Sequence, residues 1–297
     1  MRTYFSAKFA FSCLALAATH ASIAMDAPSD AIVSLTFVHD IPAVPVTIGK
    51  AHTSLLLDTG GQIGITLSRS LIKRAGTVHI LPHTSRHGDA AGHVFEVHDI
   101  EADGVALAGL ALDRVSGEVN YRWGLLAGKS KHAPDDLEAL HARGVIGLGA
   151  LAPRPLLIDY PHGTMTVYPA GEAPKPASGH WLSVPMSYDK LGVSVSLHVG
   201  DKVLRMVLDT GSNATIVNPS ALDAARFPEL CAVREGNDCG DISLPAVSDD
   251  TGNALGDIPV RAVDLKGVPF DGLLGGDFLK QHAVLIDFAR GRLWIAV

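Results

Sequence analysis

Cysteine is scarce in this chain: three in 297 residues, at positions 13, 231 and 239. So few thiols exclude a disulfide-dense scaffold or a multi-cysteine zinc fold. Aromatic residues make up 6% of the chain and charged residues 19%, with a formal net charge of -7. That balance offers no basic surface to a nucleic acid or an acidic membrane. None of the 14 histidines falls in a His-Glu-x-x-His pattern, so the helical zinc-hydrolase signature is missing. Long apolar runs are lacking too. The stretch from Phe9 to Ala18 is well below the roughly 20 residues a membrane-spanning helix needs.

What the chain does have is 30 glycines and 17 prolines set between short Val/Ile/Leu/Thr runs. Many short strands joined by tight turns follow from that pattern. The length suffices for two lobes, each with its own core. At the N-terminus, Arg2 and Lys8 precede the apolar stretch, and Ser22 and Ala24 are small residues suited to cleavage. Residues 1–24 read as a signal peptide, with the mature chain starting at Met25 or Asp26. Export to the periplasm or medium follows, with no membrane span after cleavage. In that oxidising compartment Cys231 and Cys239, flanking Gly236-Asn237-Asp238, read as a local disulfide. The alternative, a two-cysteine metal site, lacks short spacing and nearby histidines.

Laid against itself, the chain repeats. Leu55-Leu56-Leu57-Asp58-Thr59-Gly60-Gly61 matches Met206-Val207-Leu208-Asp209-Thr210-Gly211-Ser212. Downstream, Gly144-Val145-Ile146-Gly147 matches Gly272-Leu273-Leu274-Gly275, and twelve positions later Asp159 matches Asp287. Between the copies, the Pro/Ala/Gly-rich stretch 171–179 reads as a linker. The predicted lobes are 26–170 and 180–297. Helices are expected only at Ser68–Arg74, Pro134–Ala142 and Pro219–Ala225. Asp159 and Asp287 are expected to cap hairpin turns, and Asp277 to N-cap a short helix.

This ordered pair of Asp-Thr-Gly motifs, each followed by its apolar-apolar-Gly partner, resembles the pepsin-like and retroviral-type aspartic proteases over nearly the whole mature chain. The resemblance implies an all-β, bilobal fold of two homologous barrel-like lobes with a cleft between them. It implies Asp58 and Asp209 as a catalytic pair. Thr59 and Thr210 would hydrogen-bond across the lobes, Gly60 and Gly211 would allow close backbone approach, and the Val145-Ile146-Gly147 and Leu273-Leu274-Gly275 segments would support the aspartate loops from behind. Two carboxylates held together share one proton, which suits general acid and base work on a water. The substrate would be a peptide or protein, no metal or other cofactor is required, and one chain carries both half-sites, so a monomer suffices. Little chain separates the cleavage site from Asp58, so activity without zymogen processing is expected.

The chain departs from the family pattern in two places. Gly61 stands where many pepsin-like enzymes carry Ser or Thr, while Ser212 keeps its hydroxyl. The expected flap tip, between Gly88 and Gly92, lacks the tyrosine pepsins place there. Both departures lean toward the retroviral style. The function class that competes with a peptidase is a catalytically inactive pepsin-like binder or inhibitor. A metal hydrolase built on His79, His83, His87, His93 and His98 is disfavoured by Pro82 and Gly88, and these histidines read as solvated loop residues.

Overall fold

A computed structural model of the chain describes residues 30–88, 94–112, 114–120, 139–171, 173–176, 180–222, 238–249, 251–265 and 267–297. Residues 1–24, expected to be a signal peptide, lie outside them, as do Gly92, Cys231 and the side chain of Cys239.

The N-terminal half runs β1 (Ala31–Ser34), β2 (Thr36–Val38), β3 (Ile41–Ile48), β4 (Ala51–Asp58), β5 (Ile65–Leu67), α1 (Arg69–Ala75), β6 (Val78–Gly88), β7 (Val94–Ala102), β8 (Val105–Leu107), β9 (Leu110–Leu112), β10 (Val115–Val119), β11 (Gly144–Gly147), α2 (Leu148–Leu151), β12 (Leu156–Asp159) and β13 (Thr164–Val167). The C-terminal half runs β14 (Trp181–Asp189), β15 (Gly192–Val199), β16 (Lys202–Leu208), β17 (Ile216–Val217), β18 (Asp238–Ser248), β19 (Ala254–Val263), β20 (Gly272–Leu274), α3 (Gly276–Leu279), β21 (Val284–Asp287) and β22 (Arg292–Ala296). The fold is all-β in character, as the short β-branched runs and frequent turns require.

The N-terminal sheet is ordered β6-β7-β10-β5-β11-β4-β3-β8-β9, with β2 on β3. In the other half β15-β16-β20-β17-β19-β18 closes on itself through a β15–β18 pairing, making a six-stranded barrel. A third layer joins the two. β1, β13 and β12 meet β21, β22 and β14 in one continuous run of six strands. The seam is Leu156↔Ile286 through Ile158↔Val284, all four buried. Apolar residues at alternate positions of these strands feed one core that spans both halves.

Local signals account for the short elements. Ser68 caps α1 by accepting from the Leu71 N–H, and Gly76 ends it in a left-handed conformation. Of the helix expected at Pro134–Ala142, residues 139–141 are helical and 134–138 lie outside the described residues; of that expected at Pro219–Ala225, Pro219–Ala221 make one 3-10 turn ending at Leu222, and 223–225 lie outside. Asp159 and Asp287 accept from the His162 and Arg290 N–H groups and so hold their hairpin turns. Asp277 is not the cap of α3; Gly275 is. The chain enters that helix earlier than expected, which frees the Asp277 carboxylate to accept from both the N–H and the hydroxyl of Thr215, at 2.7 and 2.5 Å.

Candidate active site

Each Asp-Thr-Gly begins where an interior strand runs out. Asp58 is the last residue of β4, and β11 runs parallel beside it with Gly147 opposite Asp58. In the second half β20 runs parallel to β16, and the Asp209 N–H donates to the Leu274 carbonyl. The apolar-apolar-Gly segments thus lie directly alongside the strands that deliver the aspartates. Leu57 and Leu208, one residue before each aspartate, are fully buried and anchor the loop bases.

The two loops are tied by their threonines. The Thr59 hydroxyl donates to the Leu208 carbonyl (2.8 Å) and accepts from the Thr210 N–H (3.0 Å). The Thr210 hydroxyl donates to the Leu57 carbonyl (2.7 Å) and accepts from the Thr59 N–H (3.1 Å). Both threonines are fully buried, so these four bonds are shielded from competing water.

Above this brace the Asp58 and Asp209 carboxyls lie side by side: a Cβ on Gly211 would sit 3.0 Å from the Asp58 carboxyl carbon and 3.1 Å from Asp209 Oδ1. Each accepts from its own loop, Asp58 from the Gly60 N–H and Asp209 from the Gly211 N–H, both at 2.8 Å. A Cβ on Gly60 would lie 2.7 Å from the Asp209 carboxyl carbon, so only glycine lets this carboxyl in. Burial pushes the Asp58 carboxyl above the usual range, against the pull of the Gly60 N–H. Burial, followed by the neighbouring Asp58 charge, pushes Asp209 up as well, and the Gly211 and Ser212 N–H groups only partly offset it. The pair therefore retains a proton well above the pH at which an isolated carboxyl loses its own.

Ser212 does not touch the pair through its hydroxyl, which donates to the Ala214 carbonyl instead. Gly61, its counterpart, faces open space. The hydroxyl missing at position 61 therefore has no carboxylate contact in the other loop to match.

The expected flap is the β6–β7 hairpin, with Gly88 ending its first arm. Four of the five histidines expected in a loop lie on its strands, where His79, His83 and His98 are exposed and His87 is partly buried, and His93 lies outside the described residues. His79, His83 and His87 lie on β6 and His98 on β7. His83 Nε2 is 2.9 Å from Asp99, and His87 Nε2 is 2.5 Å from Glu118. Among the described residues no cluster of three or more His, Cys, Asp or Glu side chains is arranged to hold a metal ion.

Three features went unread in the sequence. The β14–β15 turn presses on the Asp58 loop: Gly192 has φ +84°, and a Cβ there would lie 2.4 Å from the Thr59 carbonyl oxygen. In the opposite sense, Asp40 on the β2–β3 turn pairs with Lys280 at 2.6 Å, just beyond α3. Tyr160, edge-on to Phe37 at 4.8 Å, is buried with no hydrogen-bond partner for its hydroxyl among the described residues. Burial, followed by the charges of Asp209, Asp40 and Asp58, pushes that phenol far up. Only the Lys-Leu-Gly turn at 190–192 had a local signal, a glycine between two strand-like runs.

A solved structure, the aspartic proteinase from Irpex lacteus, has a similar fold. The two superpose with a TM-score of 0.57 at 16% identity, over 91% of this chain and 97% of that one. The fold is that of an aspartic proteinase. No protein-family model matches the sequence. No curated protein sequence matches it either. The aspartic-proteinase fold is thus recognisable here at the level of architecture, where sequence identity alone would not reveal it.

Proposed function

We propose that this protein is an exported aspartic endopeptidase in which Asp58 and Asp209 activate a water molecule against a peptide bond. The observation that carries the reading is the adjacent pair of partly buried carboxyls, each fixed by its own loop and both raised in pKa. In the singly protonated pair, the ionised member takes a proton from water as the water oxygen attacks the carbonyl carbon. The other member gives its proton to the carbonyl oxygen. The tetrahedral diol then collapses: the carbon–nitrogen bond breaks, the amine nitrogen takes the proton from the pair, and a diol hydroxyl returns one proton to the pair as the carboxyl forms, so the singly protonated state is restored. Thr59, Gly60, Thr210, Gly211 and Ser212 position the carboxyls without touching substrate.

The substrate class is an extended peptide, running between the β6–β7 hairpin and the aspartate loops so that main-chain groups can pair with strand edges. No metal or organic cofactor enters this chemistry, and both aspartates come from one chain. Export rests on residues 1–24, and a Cys231–Cys239 bridge belongs to the same reading.

The test is digestion of a diverse peptide mixture in 18O-labelled water, followed by mass spectrometry. Direct hydrolysis by activated water places one label in each new C-terminal carboxyl. Unaltered peptides from a folded protein at every pH between 3 and 7 would refute the reading.

A further inference from the structure

The β6–β7 hairpin is not flat. Its inner part pairs Val78↔Ala102 to Ile80↔Ile100, and its outer part Thr84↔His98 to Gly88↔Val94, with a register shift between them. Pro82 lies within the shift, where it leaves no ladder N–H unpaired. Extra residues on one strand bend it. In a flat sheet His87, opposite Phe95 and two strands from β10, would stand roughly 16 Å from Glu118. Instead His87 Nε2 is 2.5 Å from Glu118 Oε1, so the outer arm folds over the sheet.

The face it covers is the one that carries Asp58. Glu118 lies level with Thr66 on β5, Val145 on β11 and Leu56 on β4, and Leu56 shares its face with Asp58 two residues on. His83, Ser85 and His87 point the same way from β6. Asp99 accepts from Ser85 Oγ at 3.1 Å and stands 2.9 Å from His83 Nε2. Asp99 and Glu118 are directly opposed across β7 and β10.

We infer that the outer arm of the β6–β7 hairpin is clasped over the Asp58 face by the His83–Asp99 and His87–Glu118 pairs, and that the clasp loosens as the histidines lose their protons. With both imidazoles protonated the four groups are neutral overall. With both neutral, two opposed carboxylates remain, an arrangement that destabilises paired strands. Glu118 is the more exacting member, since it is 6% exposed and its Oε2 has no partner among the described residues. Burial pushes its carboxyl up, His87 pulls it down and Asp99 raises it again. Other ionisable groups near the cluster do not replace the histidines. Glu96 accepts from Thr84 on the opposite face, and buried His141 is tied through its carbonyl to Asn120 at the end of β10. The consequence for catalysis rests on the peptidase reading; the clasp itself does not.

Hydrogen–deuterium exchange of residues 84–88 and 94–98, corrected for intrinsic rates, tests it at pH 5 and pH 8. The full chain carries Asp209→Asn, so the outcome is independent of peptidase activity. Protection is expected to fall severalfold at pH 8 in the parent and to fall clearly less in His87→Gln/Glu118→Gln, which keeps only the exposed His83–Asp99 pair. If that double variant loses protection in β15 and β16 through misfolding, His87→Gln alone carries the test with the same expectation. Protection that does not change with pH, or that changes equally in the variants, overturns the clasp.

Discussion

Thr59 and Thr210 hold each other across the lobe boundary, each donating its hydroxyl to a carbonyl beside the other's aspartate and accepting the other's N–H. Replacing either with Val keeps the volume but leaves a buried N–H and a buried carbonyl without partners. A loss of roughly 2 kcal/mol or more is expected, read by chemical denaturation. Thr59→Ser and Thr210→Ser keep the hydroxyl and should recover most of it. Peptidase activity should follow the same order, because the brace sets the distance between the carboxyls.

The raised pKa values predict a pH-dependent gain of stability on removing one carboxyl. Between the ordinary carboxylate range and the raised folded value, the folded chain holds a proton that the unfolded chain releases. Folded stability therefore falls as pH rises through that window. Asp209→Asn has no such titration at that position. Its thermal midpoint should match the parent near pH 3 and exceed it by a few degrees at pH 7. For the same reason, parent activity should persist at pH 6, where an ordinary carboxyl is already about 99% ionised. Activity should decline only as pH rises through the pair's upper titration.

Glycines at adjacent positions should respond oppositely. A Cβ at Gly60 meets the Asp209 carboxyl, whereas one at Gly61 meets nothing within 4 Å. Gly60→Ala should therefore abolish peptide cleavage, and Gly61→Ser should leave cleavage and stability near the parent values. A severe defect in Gly61→Ser would show that position 61 has a constraint beyond space.

Most of the paired-loop architecture was legible because it is written twice. Asp58 and Asp209 share flanking apolar runs, trailing threonines and glycines, and downstream Gly147 and Gly275, so each copy identifies the other. The α1 helix was legible for local reasons, a Ser68 cap and apolar Leu71 and Ile72. The rest depends on contacts between distant segments. The β12–β21 seam joins residues about 130 positions apart and leaves no local mark. The pairing of His87 with Glu118 depends on a bend at Pro82 that spacing does not reveal, and Asp277 was misassigned because α3 is capped two residues earlier, by Gly275. The Gly192 contact with the Asp58 loop is likewise tertiary.

Tyr160 offers a test of the electrostatics behind the pair. Its hydroxyl is buried and unpartnered, and it feels three carboxylates. Tyr160→Phe removes a desolvated polar group without opening a large cavity, so thermal unfolding should show no loss of stability and a gain of about 1 kcal/mol. A clear destabilisation would mean that the hydroxyl has a bonding role.

The most direct measurement compares the parent with Asp58→Asn and Asp209→Asn on one peptide mixture, with near-ultraviolet circular dichroism confirming that all three are folded. The paired-carboxyl account predicts cleavage by the parent and loss of at least about a thousandfold in each variant, since the two carboxyls act as one unit. Cleavage retained in either folded variant, or absent from the folded parent across pH 3 to 7, would contradict it.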